Sequence, residues 1–206
     1  MADEEKQDPV GGLDPIEAAL VYGGRLYDKA EDFDVAIDHV ALLLDNAALL
    51  FERGSFGTAT FLAITALEET SKIHIGAFRR DKPDPPPKGR DPLRDHKAEH
   101  RMAVRPTVFM TDWISAMGRG RADALQEEAQ TTGFTETREA ALYCARADAG
   151  FVSPSMVISP MRAWELLILA IEAADDALVG YTNHSYEVGV GFRALFNSIA
   201  TQRPSA

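Results

Sequence analysis

The sequence predicts an all-α protein built as an antiparallel helical bundle. Apolar residues recur at three- and four-residue spacing through several long segments, which is the period of an amphipathic helix. Residues that start and stop helices stand at the ends of these segments, and no segment shows a convincing strand pattern. With 206 residues, of which 46% are hydrophobic, the chain is long enough for one domain with a substantial core.

We expect a disordered tail over residues 1–12, one helical domain over 13–200 and a short tail over 201–206. The first twelve residues are acidic and polar, and they lack the basic and apolar regions of a secretory signal. No apolar run reaches the roughly 18–20 residues that span a bilayer. The single cysteine, Cys144, cannot form an intramolecular disulfide or a thiolate zinc cage. These features predict a cytoplasmic protein without a membrane segment.

Three helices are expected before the first long loop. The first starts at Asp14, an N-cap followed by Pro15 at the first helical position, although two glycines weaken its middle. The segment "FDVAIDHVALLLDNAALLFERGS" is a stronger helix that Gly54 stops, and "SFGTATFLAITALEETSKIHIGAF" forms the next one. Because so few residues join these two long helices, we expect them to pack antiparallel.

A proline-rich loop over residues 81–91 follows, since four prolines within five positions cannot continue a helix. Asp91 is the expected N-cap of the next helix, which runs through "LRDHKAEHRMAVRPTVFMTDWISAMG". Pro106 predicts a kink in this helix near Arg105.

The last part of the chain contains two more helices and two less regular segments. The polar stretch "RGRADALQEEAQTTGFTET" suits a short exposed helix and a loop. In "REAALYCARADAGFVSPS", Tyr143 and Cys144 fit either a helical turn or an extended strip. Ser159 and Pro160 open a strong helix, "PMRAWELLILAIEAADDALVG", and a weaker one covers "YEVGVGFRALFNSIA".

The charge of the chain is unevenly distributed. The total of −11 argues against a protein that coats nucleic acid by bulk electrostatics. Residues 72–105 nevertheless hold ten Lys and Arg against five Asp and Glu, a net +5 that leaves −16 on the rest of the chain. Three of the five histidines also fall in this segment. A local basic surface on an acidic protein suits one specific anionic partner.

The histidines and the cations of the helix after the loop fall on opposite faces. At about 100° per residue, one face collects Leu93, His96, His100, Ala103, Thr107 and Met110. The other face collects Arg94, Lys97, Arg101 and Arg105. Two interpretations stay open. The histidines are buried structural residues beside a solvated basic face, or the segment forms a site for an anion.

A carboxylate of the preceding helix is expected beside the histidines. Glu69 shares a helix face with apolar residues, whereas Glu68 faces away and can pair with Lys72. An unpaired charge near a core is costly, so we expect His96 or His100 to be the partner of Glu69.

These groups suit the cleavage of RNA without a metal ion. Histidine can take the proton of a ribose 2′-hydroxyl near neutral pH, and arginine can stabilise the charge on the phosphate. Two pairs have the same six-residue spacing, Arg90 with His96 and Arg94 with His100. We favour Arg90 with His96, because a helix N-terminus nearby attracts anions.

A metal site is the weaker alternative. His96 and His100 stand four residues apart, as in helical zinc motifs, and Glu69 is a third candidate ligand. Lys97 however stands where the H-E-x-x-H motif has its glutamate. We therefore expect no metal and no cofactor.

Three short stretches follow one another in order along the chain. They are a Glu-Glu-x-x-Lys stretch, an Asp-His-Lys stretch and a "LY" segment ahead of a proline: Glu68, Glu69 and Lys72; Asp95, His96 and Lys97; Leu142, Tyr143 and Pro154. Together they resemble the AbiV-type abortive-infection proteins of the HEPN-like group of helical bundles, and the similarity extends over roughly residues 33–160.

The resemblance implies a bacterial defence against phage and, in many HEPN proteins, a metal-independent ribonuclease with an Arg-x(4–6)-His motif at a dimer cleft. Both Arg90 with His96 and Arg94 with His100 satisfy this spacing, with Glu69 as a further candidate in catalysis. It also implies a homodimer that acts on RNA or a ribosome-associated target, with a phage protein as activator.

Candidate RNA-binding residues are Lys72, Lys97, Arg101 and Arg105. The alternative is a non-catalytic helical protein that binds a phage or ribosomal partner and blocks translation.

Overall fold

The computed structural model describes residues 19–20, 25–79, 91–105, 108, 117–148 and 150–205. Within these ranges the chain is all-α, as predicted, with eight α-helices and one short antiparallel hairpin. The helices are α1 (Ala30–Glu52), α2 (Phe56–Phe78), α3 (His96–Ala103), α4 (Arg119–Thr131), α5 (Thr135–Leu142), α6 (Pro154–Val157), α7 (Pro160–Leu178) and α8 (Asn183–Ala200). The strands are β1 (Ala145–Ala147) and β2 (Gly150–Val152). None of these helices has the length and apolar composition needed to cross a membrane.

Helices α1 and α2 form the predicted pair on one side of the bundle. Gly54 has φ of 75°, a left-handed conformation that favours glycine and lets the chain reverse within three residues. One face of α1 is buried, through residues at helical spacing: Phe33, Ile37, Val40, Leu44, Ala47 and Phe51.

Helix α7 lies at the centre of the core and is almost entirely buried. The Ser159 side chain accepts a hydrogen bond from the backbone N–H of Arg162, and Pro160 occupies the first turn, so the predicted helix start is confirmed. Trp164 donates its indole N–H to the carbonyl of Ile199 at 2.9 Å and thereby ties α7 to α8. Helices α1, α2 and α8 pack around α7.

Helix α8 begins earlier than the sequence pattern predicts. Thr182 forms a capping box with Ser185, in which each side chain bonds the other residue's backbone N–H. Beyond the helix, Arg203 lies 5.3 Å over the ring of Trp164 and Gln202 bonds Glu52, so residues 201–205 contact the bundle.

The helix expected after the proline-rich loop is shorter and starts later. Asp91 does not cap it. The Asp91 side chain accepts the N–H of Leu93 in a 3-10 turn, Pro92–Arg94. Asp95 is the N-cap of α3, because its carboxylate accepts the N–H groups of Lys97 and Ala98. The helix ends at Ala103.

Other sequence expectations fall outside the described ranges or are wrong. The tail over 1–12, the Asp14–Pro15 helix start, residues 80–90 of the loop and the kink at Pro106 lie outside the described ranges. Residues 25–29, expected to be helical, are irregular.

The hairpin was not predicted. Arg146 and Phe151 pair in it and both point to solvent, so no buried face produces a strand pattern in the sequence.

Candidate active site

Glu68 of α2 is the centre of a cluster of ionisable groups. Its side chain is buried, and its Oε1 atom lies 3.0 Å from Nδ1 of His96 and 3.1 Å from Nε2 of His100. Nε of Arg138, from α5, lies 3.3 Å from the same oxygen. Burial opposes ionisation of Glu68, but the hydrogen bond from His100 and the charge of Arg138 outweigh it and lower its pKa. Glu68 is therefore an anion held by three side chains from α3 and α5.

His100 is sealed inside the protein. Its side chain is fully buried, its Nδ1 accepts the backbone N–H of Phe134 at 3.0 Å, and its Nε2 faces Glu68. These partners assign the proton of the neutral ring to Nε2. A Cβ atom on Gly133 would lie 2.9 Å from Nδ1 of His100, so the chain passes directly against the ring. These contacts indicate that His100 stabilises the fold and does not meet a substrate.

His96 differs from His100 because it reaches solvent. It is the first residue of α3, and 46% of its side chain is exposed. Nδ1 faces inward, toward Glu68 and toward Oε2 of Glu99 at 3.1 Å. Within the described residues, no partner is hydrogen-bonded to Nε2. One nitrogen is held by two carboxylates and the other is open to a ligand.

Glu99 and Lys72 complete the cluster. Glu99 is fully buried, and burial raises its pKa to about 7, with Lys72 and His96 opposing the rise and Glu68 adding to it. Nζ of Lys72 lies 3.6 Å from Oε1 of Glu99 and 2.9 Å from Oε1 of Glu69. We refer to Glu68, Lys72, His96, Glu99, His100 and Arg138 as the His96 cluster.

The prediction that Glu69 points toward the histidines and Glu68 away from them is wrong. Glu68 points into the protein and bonds both histidines, whereas Glu69 is partly exposed and pairs with Lys72. The apolar face that Glu69 shares is buried as expected, but α2 is buried on more than one side. Helices α3 and α5 cover the side that carries Glu68.

Arg138 and Glu99 are members of the cluster that the sequence analysis missed. Arg138 stacks over the ring of Phe61 at 4.9 Å while it faces Glu68. It is the first residue of "REAALYCARADAGFVSPS", a stretch noted for its resemblance and given no role. Glu99 stands three residues after His96 on one helix, a spacing that brings side chains together and was available from the sequence.

Of the two predicted arginine–histidine pairs, the described residues include both members only of Arg94 with His100. Arg90 lies outside the described residues. Arg94 is exposed in the 3-10 turn before α3, whereas His100 is fully buried, so this pair does not meet.

Two of the four residues of the predicted basic row are engaged within the fold. Arg101 donates to the carbonyl of Thr131, and Arg105 pairs with Asp176 at 2.8 Å. Lys97 is exposed, on the residue after His96.

Three residues of the cluster can hold a divalent metal ion. One ligand atom each of Glu68, His96 and Glu99 lies within 4.8 Å of the others. The two carboxylates already have cationic neighbours, Lys72 at 3.6 Å from Glu99 and Arg138 at 3.3 Å from Glu68. These cations neutralise the charge that a metal ion would otherwise neutralise.

Residues 30–174 match the model of the HEPN_AbiV family, which is described as AbiV. No curated protein and no solved structure matches the chain. The matched region runs from the start of α1 into α7 and contains every residue of the His96 cluster.

Proposed function

The chain belongs to the HEPN_AbiV family of abortive-infection proteins, and from this premise we propose that it is a ribonuclease that cleaves RNA without a metal ion. The observation that carries the proposal is the environment of His96. Two buried carboxylates hold its Nδ1, and its Nε2 is open.

His96 acts as the general base in this proposal. His96 donates its Nδ1–H to Oε2 of Glu99 at 3.1 Å, with the ionised Glu68 at 3.0 Å from the same nitrogen, and the ring keeps a lone pair on Nε2. Nε2 takes the proton of a ribose 2′-hydroxyl, and the resulting oxygen attacks the adjacent phosphorus. The 5′-oxygen then leaves, and His96 returns the proton. A carboxylate behind the ring stabilises the imidazolium, as in other histidine-based sites.

Cations next to His96 would bind the phosphate. Arg94 and Lys97 are exposed and stand two residues before and one residue after His96. Arg138 and Lys72 face the carboxylates, so their role in the proposal is to keep Glu68 and Glu99 compatible with burial. Arg90 remains a candidate from its spacing alone.

The wider context of the proposal comes from the family. We propose that the protein acts in the cytoplasm as a homodimer on RNA or on a ribosome-associated target, that a phage protein activates it, and that cleavage halts translation.

The test is cleavage of a labelled single-stranded RNA by the purified protein in excess chelator. We expect wild-type protein to cleave and His96→Ala to lose about 10²–10⁴-fold in rate, the usual contribution of a general acid or base. His39→Ala, which removes an exposed histidine of α1, serves as the matched control and should leave the rate unchanged. Undiminished cleavage by His96→Ala, or cleavage that requires a metal ion, contradicts the mechanism.

An exposed apolar surface supports a second candidate, a non-catalytic protein that blocks translation by contact. Four large side chains near the hairpin are at least half exposed: Tyr143 (63%), Phe151 (71%), Met156 (70%) and Val157 (50%). Exposed apolar patches of this kind mark protein–protein contacts. Loss of phage protection in a Phe151→Ser variant, with protection retained in His96→Ala, would favour this candidate over the ribonuclease.

A further inference from the structure

A concave site lies outside the His96 cluster, where the chain enters α1. It is a cavity of about 240 Å³ enclosed by the segment before α1, the C-terminal part of α2 and the start of α8. Its lining includes three aromatic residues and two cations: Tyr27, Phe33 and Tyr181, with Arg25 and Lys29. The volume is smaller than that of a typical pocket for a drug-sized ligand, so it suits one planar group.

We propose that this cavity binds one nucleobase of a single-stranded RNA, with the adjoining phosphate on Arg25 and Lys29. The identity of the ligand as RNA rests on the proposed ribonuclease function. The cavity would be a binding site for the substrate strand outside the His96 cluster.

The aromatic residues of this region form a continuous series of ring contacts. Phe33 lies 6.2 Å from Tyr27 and 5.4 Å from Tyr181, measured between ring centroids. Tyr181 continues the series to Phe78 at 6.0 Å and to His74 at 6.2 Å. Tyr181 is 46% exposed and Phe78 is 55% exposed, although both are large apolar side chains. Exposed rings backed by packed rings are a stacking platform for bases.

The charged residues at the cavity match the polar part of a nucleotide. Arg25 and Lys29 are exposed on its wall, where their side chains can meet a phosphate. Asp28 also lines the cavity, and its carboxylate is an acceptor for a base amino group rather than a phosphate ligand.

A close backbone approach builds this wall. A Cβ atom on Gly76 would clash with Cδ1 of Leu26 and lie 2.9 Å from its Cβ. Because α2 has a glycine here, Leu26 packs directly against the helix and places Arg25 and Tyr27 at the cavity. Leu26 is nevertheless 49% exposed, so this wall depends on its contact with α2 and not on the core.

The cavity and the His96 cluster are joined through Glu69. Burial, and then the nearby charge of Glu69, raise the pKa of Tyr27, so this carboxylate lies within electrostatic reach of the cavity. Glu69 bonds Lys72, which in turn neighbours Glu99. In the proposal, a strand with one base in the cavity continues toward His96.

Binding of an RNA with 2′-O-methyl groups tests this inference separately from catalysis, because that RNA has no free 2′-hydroxyl to attack. We expect fluorescence anisotropy to show about 5- to 100-fold weaker binding for Tyr181→Ala, the range for loss of one stacked base. Tyr181→Phe should bind like wild type because the ring remains. Tyr186→Ala removes an exposed tyrosine (68%) of α8 and is the matched control.

A second variant, Gly76→Ala, should weaken binding by displacing Leu26 while leaving Tyr181 in place. Equal binding by wild type and Tyr181→Ala overturns the inference. If Tyr181 is required for binding and wild-type protein cleaves no unmodified RNA, the cavity stands and the ribonuclease proposal fails.

Discussion

Replacement of His100 by alanine tests the division of roles between two histidines that stand one helical turn apart. His100 is fully buried and bonded on both nitrogens, whereas 46% of the His96 side chain is exposed. The same substitution should therefore have very different effects on the free energy of unfolding.

The magnitude follows from the two lost hydrogen bonds. The bond from His100 to Glu68 involves an ionised acceptor and contributes about 1.5–3 kcal/mol. The N–H of Phe134 is left buried without a partner, at a cost of about 1–3 kcal/mol. With the cavity left by the ring, we expect His100→Ala to lose about 3–5 kcal/mol and His96→Ala about 0–1 kcal/mol.

Urea unfolding followed by circular dichroism measures both values. His100→Asn provides an intermediate case, because its side-chain oxygen can still accept the N–H of Phe134 while the contact with Glu68 is lost. A loss below about 1 kcal/mol for His100→Ala, or equal losses for the two alanine variants, would refute the structural role of His100.

Two further predictions concern the same cluster. Gly133→Ala should cost about 2–4 kcal/mol, because Gly133 has φ of 68° and its new Cβ would meet His100 at 2.9 Å. Gly54→Ala, at φ of 75° with open space around it, should cost only about 1 kcal/mol, and equal losses in urea unfolding would contradict the contact. The pKa of Glu99 is about 7 in the folded state, above its value in the unfolded chain, so the native state binds this proton more tightly. The free energy of unfolding should therefore fall as pH rises from about 5 to 7.5, by at most about 3 kcal/mol. Glu99→Gln should flatten that slope, and an unchanged pH profile of unfolding would disprove the shift.

Several elements were predictable because their determinants are local. The glycine at position 54 ends α1, and the Ser159–Pro160 pair begins α7, each through the backbone of its own turn. Helix α3 was misplaced because two aspartates compete as caps. Asp91 is taken by Arg79 and by the 3-10 turn, so Asp95 caps the helix.

The candidate site was predictable only in part. His96 was identified from its residue type and its stretch of sequence. Its partners are Glu68 of α2 and Glu99 of α3, and nothing local to α3 indicates that Glu68 rather than Glu69 faces it. Arg138 lies 70 positions after Glu68 along the chain, so its approach depends on how α5 packs against α2.

The sequence by itself determined the helical class, some helix ends and the family, because periodicity, caps and motif order are properties of consecutive residues. Only the tertiary structure decided that His100 is enclosed and His96 open, since burial is set by which helices cover a face. That choice makes one imidazole part of the core and leaves the other able to meet a substrate.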